Sequence, residues 1–432
     1  MNKRLNIRRN VVTTVIAFSI NIALTFFGFR LVIQQGGTSA LGLWSAMTAA
    51  VFVIRMGDIG MGSATERQVA TIDVETDPNR ARGYLDTALA INLVLFSILA
   101  IAAWLIISNH IDWIIPTGSD RHAEALAILP LMLAGFIATN VANVITSGLR
   151  GLHLAWLAAH LSVAGSFLQL IVIIALVPRL GVEGLAWAQL AQNVLIGLLA
   201  WVMFNRQLTN HIGKRPPALP TTASRELLSD LLSFSLKAQA VNFVNGLLEP
   251  ASKLMVGHFG GLSILGTYEI AYKLVALPRN AVVSGVLAMT PAMTKLLRSD
   301  NAEAARMYKR AKRTVTISTG AVLALAIACS PLVSTILFGH QDKALIGYAA
   351  IMAIGFWINA IGAPAYVLGF ATGILGANFI SALLSLGIVL PLGWLLQQAS
   401  PSTGPIGASA IALALGGAFI LWQNQRLLKR PD

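Results

Sequence analysis

The chain alternates long apolar stretches with short polar connections along its whole length. Each of twelve stretches contains few charged side chains and is long enough to cross a bilayer, which takes about 20 apolar residues in a helix. Several stretches contain Gly or Pro, which membrane helices tolerate. The pattern predicts twelve membrane-spanning helices and an all-α fold. The predicted spans are 11–33, 40–62, 84–108, 125–147, 157–177, 184–204, 231–258, 264–290, 314–337, 344–368, 377–396 and 407–423.

The composition supports a membrane protein and excludes an ordinary water-soluble domain. Of the 432 residues, 56% are hydrophobic and only 11% are charged, whereas a soluble domain has about 25% charged residues. The basic N-terminus MNKRLNIRRN precedes a long apolar stretch. We expect this stretch to be a retained first helix, because no small-residue cleavage site follows a short apolar core.

The positive charges predict the orientation of the chain in the membrane. The formal net charge is +13. With the N-terminus inside, the inner segments hold 22 Lys and Arg residues and the outer loops hold 3, while the remaining 6 lie within spans. This asymmetry follows the positive-inside rule. It predicts a multi-pass protein of the inner (cytoplasmic) membrane with both termini in the cytoplasm, and it explains the basic charge without a nucleic-acid partner.

The sequence contains an internal duplication. From Arg30 the chain reads RLVIQQGGTSALGLW, and from Lys253 it reads KLMVGHFGGLSILGTY. One inserted residue aligns the two glycine pairs, and the register then continues at an offset of 224 residues. Equivalent pairs in this register are Gly37 and Gly261, Gly42 and Gly266, Arg55 and Arg279, Arg82 and Arg306, and Tyr84 and Tyr308.

The duplication predicts two lobes of six helices each. We expect an N-terminal lobe at 1–204, a cytoplasmic linker at 205–229 and a C-terminal lobe at 230–432. Because each copy has an even number of spans, both copies begin on the same side of the membrane. They are then related by a pseudo-two-fold axis along the membrane normal, which suits alternating access. The substrate is expected in a central cavity near the midplane, between the lobes.

The repeated segments resemble a known family of exporters. The run KLMVGHFGGLSILGTYEIAYKLVALPRNAVVSGVLAMTPAMTKL and its first-half counterpart are similar to polysaccharide flippases of the Wzx type. These O-antigen and exopolysaccharide flippases belong to the multidrug/oligosaccharidyl-lipid/polysaccharide exporter (MOP) superfamily. The resemblance implies a transporter rather than an enzyme. Its expected role, in lipopolysaccharide or other polysaccharide biosynthesis, is to move a polyprenyl-diphosphate-linked oligosaccharide from the inner to the outer leaflet. Its expected partners are this substrate, membrane lipids and polysaccharide polymerase or assembly proteins.

Charged side chains within the spans are the candidate functional residues, because such groups are costly in a membrane. A lipid diphosphate is a large anion, and guanidinium groups bind phosphate oxygens in a bidentate manner. Lipid II flippases of the same superfamily use arginines on spans 1, 2 and 8, and three arginines here resemble them in placement. The predicted cationic cavity is lined by Arg30, Arg55, Lys253, Lys273 and Arg279.

The acidic residues within the spans leave two interpretations open. As coupling groups, Asp58, Glu249 and Glu269 could take up protons, because burial raises the pKa of a carboxyl group. As structural groups, they could pair with cations three or four residues away on the same helix face. Such pairs are Arg55 with Asp58, Glu249 with Lys253, and Glu269 with Lys273.

Two other functions fit the sequence less well than the flippase. A membrane-embedded polysaccharide polymerase or ligase needs a large catalytic loop, and the span map leaves no room for one. A drug or cation antiporter of the same superfamily needs unpaired carboxylates and aromatic side chains, whereas the charge balance within the spans is cationic. No Walker A sequence is present, and no metal-ligand spacing occurs among the histidines. No cofactor or metal is expected.

Overall fold

A computed structural model describes residues 7–52, 60–73, 76–115, 121–212, 224–232 and 236–429 of the chain. These residues are almost entirely helical, and no β-strand occurs among them. The predicted all-α class is therefore confirmed. The first half of the chain forms α1 (Ile7–Phe52), α2 (Met61–Thr71), α3 (Pro78–Asn109), α4 (His122–Gly151), α5 (Ala155–Leu180), α6 (Val182–Ile212) and α7 (Arg225–Leu232). The second half forms α8 (Leu236–Gly260), α9 (Leu262–Leu287), α10 (Thr290–Ser299), α11 (Asn301–Phe338), α12 (Lys343–Ile361), α13 (Ala363–Thr372), α14 (Gly376–Gln397) and α15 (Gly404–Asn424).

The multi-pass character of the chain is confirmed. Within the described residues, nine helical stretches are long and apolar enough to cross a membrane. They correspond to predicted spans 3–6 and 8–12, so those nine spans are helical. Span 1 and most of span 2 fall on α1, the rest of span 2 includes residues outside the described ones, and span 7 falls mostly on α8; none of these three is among the nine. The total of twelve stays a prediction.

The duplication is visible in the backbone at the paired glycines. Gly37 interrupts α1 with φ 69° and ψ −175°, and the equivalent Gly261 precedes α9 with φ 83° and ψ 169°. Residues other than glycine rarely adopt this region of φ and ψ. Both copies therefore end one helix and begin the next at the same residue of the repeat.

The described residues group by their contacts into two compact units. Unit 1 draws on Met1–Gln35, Ile54–Asp112 and Thr117–Gln239, and unit 2 on Gly36–Val53, Trp113–Pro116 and Ala240–Asp432. Residues 36–53 therefore group with the second half of the chain, although the predicted N-terminal lobe includes them. The predicted lobe and linker boundaries stay predictions.

Unit 1 is built around α4, which packs against α2, α3 and α6, while α5 packs against α6. Its core includes Leu85, Leu149 and Phe204, and α7 adds Leu231 to it. The helix α7 begins within the predicted linker, ends in the first residues of the predicted C-terminal lobe, and packs against α2 and α3. The hydroxyl of Tyr84 donates a hydrogen bond of 2.7 Å to Asp230 at the end of this helix. The described residues of the predicted linker are thus mostly helical and group with unit 1.

Unit 2 is held together by close helix packing at small residues. The helix α15 packs against α12 and α14, and α9 packs against α11 and α12. A Cβ atom on Gly417 would lie 2.4 Å from Cα of Asn359, and one on Gly355 would lie 2.5 Å from the carbonyl oxygen of Ala410. Such distances are too short for any side chain. These glycines therefore allow α12 and α15 to touch through their backbones.

The last part of α1, residues 38–52, crosses α9 at equivalent positions of the two repeats. A Cβ atom on Gly42 would lie 1.8 Å from the carbonyl oxygen of Leu262, and one on Gly266 would lie 2.0 Å from that of Thr38. Thr38 and Leu262 are themselves equivalent at the offset of 224. The contact is therefore reciprocal, as contacts across a two-fold axis are. This local symmetry within unit 2 supports the duplication.

Candidate functional site

A cavity of about 350 Å³ lies within unit 2. Its wall combines one arginine, one glutamate, several amide and hydroxyl groups, and aromatic rings. The cavity is polar on one part of its wall and aromatic on another, which is the usual composition of a small-molecule site. The wall includes Phe52, Asn245, Glu249, Tyr272, Arg279, Asn280, Phe356, Asn359, Tyr366, Ser381 and Ser385.

Arg279 is the cation of the cavity wall. It follows Pro278 on α9, and this proline removes one hydrogen bond from the helix ladder next to it. Its Nη1 donates a hydrogen bond of 2.9 Å to the side-chain oxygen of the exposed Asn280, and its Nη2 donates to that of Asn359. The guanidinium carbon lies 5.6 Å from the centre of the Phe356 ring. The side chain is therefore oriented by two amides and one aromatic ring.

The charge of Arg279 is not neutralised by the part of the chain that the structure describes. No carboxylate of the described residues lies within 4.0 Å of the guanidinium nitrogens, and the buried Nε has no hydrogen-bond partner there. A guanidinium has five N–H donors, and the two amide oxygens account for two of them. The group can thus bind an incoming oxyanion with its remaining donors.

Asn359 connects Arg279 to the helix packing. Its side-chain oxygen accepts the hydrogen bond from Arg279, and its side-chain nitrogen donates one of 2.9 Å to the backbone oxygen of Leu413 on α15. Both groups of the amide are therefore used, which fixes its orientation. The position follows from the close packing of α12 on α15 at Gly417 described above.

Aromatic rings continue the cavity wall on α9 and α12. The rings of Tyr272 and Phe356 are 5.4 Å apart in an edge-to-face arrangement, and those of Tyr268 and Tyr272 are 5.8 Å apart. On another side, the side-chain nitrogen of Asn245 lies 3.5 Å from the hydroxyl of Tyr366. The wall thus offers flat apolar surfaces beside neutral donors and acceptors.

A network of two lysines and two glutamates, of which Lys253 and Glu269 are buried, lies next to the cavity. The Nζ of Lys253 lies 2.6 Å from Oε1 of Glu249 and 2.9 Å from Oε2 of Glu269. Lys273 adds a contact of 3.3 Å to Glu269. The side chains of Lys253 and Glu269 are 6% and 4% exposed, whereas that of Glu249 is 46% exposed. The two positive and two negative charges of the network balance.

The same network reaches the helix crossing through Ser45. Its hydroxyl donates a hydrogen bond of 2.7 Å to Oε2 of Glu269. Ser45 and Glu269 are equivalent positions of the two repeats, at the offset of 224. The buried carboxylate is therefore held by residues from α8, from α9 and from the last part of α1.

The structure brings five of the predicted site residues together within unit 2. Arg279 and Glu249 line the cavity, whereas Lys253, Lys273 and Glu269 form the ion-pair network beside it. Arg30 is an exposed residue of α1 and belongs to unit 1. Arg55 and Asp58 lie outside the described residues. The assignment of all eight as substrate or coupling residues stays a prediction.

Sequence reasoning overlooked two uncharged residues of the wall, Asn359 and Tyr272. Asn359 and Tyr272 contact or neighbour Arg279 but carry no charge, so the search for charged groups passed over them. An isolated amide within a strongly apolar helix is a signal that could have singled out Asn359, because such groups seek hydrogen-bond partners on other helices.

A second cavity, of about 500 Å³, lies in unit 1 between α3, α4 and α6. Its wall is almost entirely apolar, with Leu93, Ile137 and Trp201 among its residues and Asn193 as an amide. It has no charged residue with which to bind an ionic headgroup. Among the described residues, no cluster of His, Cys, Asp and Glu could hold a metal ion.

The comparison with protein families identifies the chain. The family model described as polysaccharide biosynthesis protein matches residues 38–346, which is well over half of the sequence. The chain belongs to this family. This match supports the predicted membership in a polysaccharide-exporting branch of the MOP superfamily.

Solved structures of the MOP superfamily share the fold. An inward-facing multidrug resistance MATE family transporter matches with a TM-score of 0.76 and 17% identity, over 96% of this chain and 98% of that chain. An outward-facing one has a TM-score of 0.68 and 17% identity, over 98% and 95%. A MOP superfamily transporter from Pyrococcus furiosus, whose binding pocket is described as having reverse polarity, has the same score and identity over 100% of both chains. The predicted superfamily fold is confirmed.

Proposed function

We propose that the chain is a flippase for a polyprenyl-diphosphate-linked oligosaccharide. The cargo moves from the inner to the outer leaflet of the cytoplasmic membrane by alternating access. The observation that carries the proposal is Arg279, a cation on a cavity wall that no described carboxylate neutralises. Membership in the polysaccharide biosynthesis family supports the same substrate class.

The diphosphate is the part of the substrate that Arg279 suits. Charge-assisted hydrogen bonds from a guanidinium to phosphate oxygens are strong, and the guanidinium remains charged in a low-dielectric site. The two neighbouring amides orient the group without cancelling its charge. We therefore assign the headgroup to the end of the cavity where Arg279 lies, and keep Arg30 and Arg55 as further proposed ligands.

The remainder of the wall suits sugars. Hydroxyl and amide groups of Asn245, Ser381 and Ser385 can exchange hydrogen bonds with sugar hydroxyls, and the ring of Tyr366 adds an apolar surface. None of these groups is charged. They can therefore bind an uncharged sugar without the desolvation cost of an unpaired ion.

We assign the coupling role to Glu249 among the carboxylates that the structure describes. It lines the cavity and is half-exposed, whereas Glu269 is buried and held by two lysines and Ser45. An exposed carboxylate can exchange a proton or cation with water during the transport cycle. The driving force is then an ion gradient, or else consumption of the product by the polymerase and assembly proteins that we propose as partners.

A cation antiporter is the second candidate, and Glu249 is the observation that favours it. This carboxylate lines the same cavity as the rings of Tyr272 and Phe356, and organic cations bind to such groups. However, Glu249 is paired with Lys253 at 2.6 Å, whereas Arg279 has no such counter-ion among the described residues. The free charge of the wall is therefore positive.

Ligand competition distinguishes the two functions. Purified protein in detergent is incubated with tritiated farnesyl diphosphate, and tetraphenylphosphonium or unlabelled farnesyl diphosphate is added as competitor. If the chain is a flippase, unlabelled farnesyl diphosphate should displace the tritiated ligand and the organic cation should not. Arg279→Gln should lose binding of farnesyl diphosphate, and Glu249→Gln should retain it. Binding of labelled tetraphenylphosphonium that depends on Glu249 and is indifferent to Arg279 would support the antiporter instead.

A further inference from the structure

We infer that Asn359 is a positioning residue that holds Arg279 by a neutral acceptor and so leaves the guanidinium charge available to an anionic headgroup. This inference rests on the proposed function only for the choice of ligand. The geometry that carries it belongs to unit 2 alone. It concerns a residue whose contacts reach three helices around the cavity, α9, α12 and α15.

The hydrogen bonds of Asn359 fix the orientation of the Arg279 side chain. Asn359 accepts a hydrogen bond from Nη2 of Arg279 and donates one of 2.9 Å to the backbone oxygen of Leu413. The backbone of Asn359 is itself held by the contact of α12 with Gly417. A flexible arginine is thus fixed to a rigid part of the fold. Fixing the side chain in advance reduces the entropy that ligand binding must offset.

The hydrogen-bond partners of Arg279 are neutral, unlike those of Lys253. The other buried cation of unit 2 beside the cavity, Lys253, is held by two carboxylates and is thereby neutralised. Arg279 receives the same kind of anchoring from the amide oxygens of Asn280 and Asn359. An aspartate at position 359 would still accept the hydrogen bond from Arg279, but it would form an ion pair and could not donate to the backbone oxygen of Leu413. The amide at 359 therefore determines that the cavity binds anions.

Of the two amides that bind Arg279, Asn359 is the less exposed, so a charge at its position should influence Arg279 more strongly. Asn359 is half-buried and tied to α15, whereas Asn280 is exposed. Water screens charges at exposed positions, so ion pairs there contribute little. A negative charge at 359 should therefore neutralise Arg279 far more than one at 280.

The test is the binding of tritiated farnesyl diphosphate to the full-length protein in detergent, with farnesol and inorganic pyrophosphate as competitors. We expect Asn359→Asp to raise the Kd at least tenfold, close to the effect of Arg279→Gln. Asn359→Ala, which loses orientation but keeps the charge, should raise it about threefold. Asn280→Asp should fall between the wild type and Asn359→Asp. Farnesol should not compete, and weak competition by pyrophosphate would show that the headgroup is recognised.

The controls separate positioning from a merely structural role. A structural role predicts the reverse order, with Asn359→Ala weaker than Asn359→Asp, because aspartate keeps an acceptor for Arg279. Asn301→Asp adds the same charge at an exposed position at the start of α11, outside the cavity wall, and it should stay within about threefold of the wild type. A loss there equal to that of Asn359→Asp would contradict the inference. Thermal melting shows whether each variant is folded. If Asn359→Asp does not fold, Asn280→Asp tests the same claim, that a negative charge next to Arg279 weakens binding of the anion.

Failure of the inference and failure of the proposed function give different results. If Arg279→Gln loses binding while Asn359→Asp binds within threefold of the wild type, the inference is wrong and the proposed site stands. If the wild type does not bind farnesyl diphosphate, or Arg279→Gln binds as well as the wild type, both are wrong.

Discussion

Arg279 and Lys253 are both cations on helices of unit 2, and their surroundings differ in chemistry. Lys253 lies within 3 Å of two carboxylates, whereas the hydrogen-bonded partners of Arg279 are amides. Removing either cation therefore has different consequences. The loss of Lys253 leaves buried negative charge behind, and the loss of Arg279 removes a charge that the proposed substrate uses.

Lys253→Met is predicted to destabilise the fold. Glu269 is 4% exposed, and removing one member of a buried ion pair costs about 3–5 kcal/mol. Thermal unfolding in detergent should show a lower midpoint than for Lys273→Met, whose lysine is 32% exposed. The double variant Lys253→Met, Glu269→Gln should recover most of the stability. A midpoint for Lys253→Met equal to that of the wild type would mean that the network contributes no stability.

The sequence indicated part of this network and not the rest. The spacing of four residues between Glu249 and Lys253, and between Glu269 and Lys273, predicts pairing on one helix face. The link from Lys253 to Glu269 joins α8 to α9, and the link from Arg279 to Asn359 joins α9 to α12. Such contacts depend on helix packing, which the periodicity of a single helix does not encode.

At the scale of elements, the crossing of residues 38–52 with α9 depends on two glycines. Gly42 and Gly266 let the backbones touch, and this contact brings Ser45 to Glu269. The aligned glycines were visible in the sequence as part of the duplication. Their direct contact was not, because a repeat establishes equivalence and does not show that equivalent residues meet. Residues 36–53 group with unit 2 for this reason.

Gly266→Ala is predicted to weaken the crossing. The added Cβ would lie 2.0 Å from the backbone oxygen of Thr38, and backbone atoms cannot move aside as a flexible side chain can. Overpacking of this kind typically costs about 1–3 kcal/mol. The matched control is Gly285→Ala on the same helix, where no atom lies within 4 Å of the added Cβ. Equal melting temperatures for the two variants would contradict the close contact.

At the scale of the whole molecule, the order of helices was predictable because it follows from apolar length. Nine of the predicted spans are helical stretches with the required length and hydropathy. The breaks at Gly37 and between α12 and α13 were less predictable, since glycines also occur within unbroken membrane helices. The orientation of the chain in the membrane is predicted only from the distribution of lysines and arginines between the two sides.

Cysteine labelling tests this orientation. In a Cys329→Ala background, Lys309→Cys and Lys343→Cys place single thiols at two exposed positions, one near the start of α11 and one at the start of α12. The positive-inside asymmetry predicts that a membrane-impermeant maleimide labels the thiol at position 343 in intact spheroplasts. The thiol at 309 should react only after permeabilisation. The opposite pattern would invert the predicted topology.

The proposed function requires that the cavity of Arg279, whose charge no carboxylate of the described residues neutralises, carries a lipid diphosphate across the membrane. The most direct measurement reconstitutes the purified protein into vesicles that contain a fluorescent polyprenyl-diphosphate disaccharide. Its movement between leaflets is followed by quenching with dithionite from outside. We predict that the wild type accelerates the movement and that Arg279→Gln, folded and reconstituted at equal density, leaves it at the rate of protein-free vesicles. Movement by Arg279→Gln at the wild-type rate, or no acceleration by the wild type, would contradict the claim.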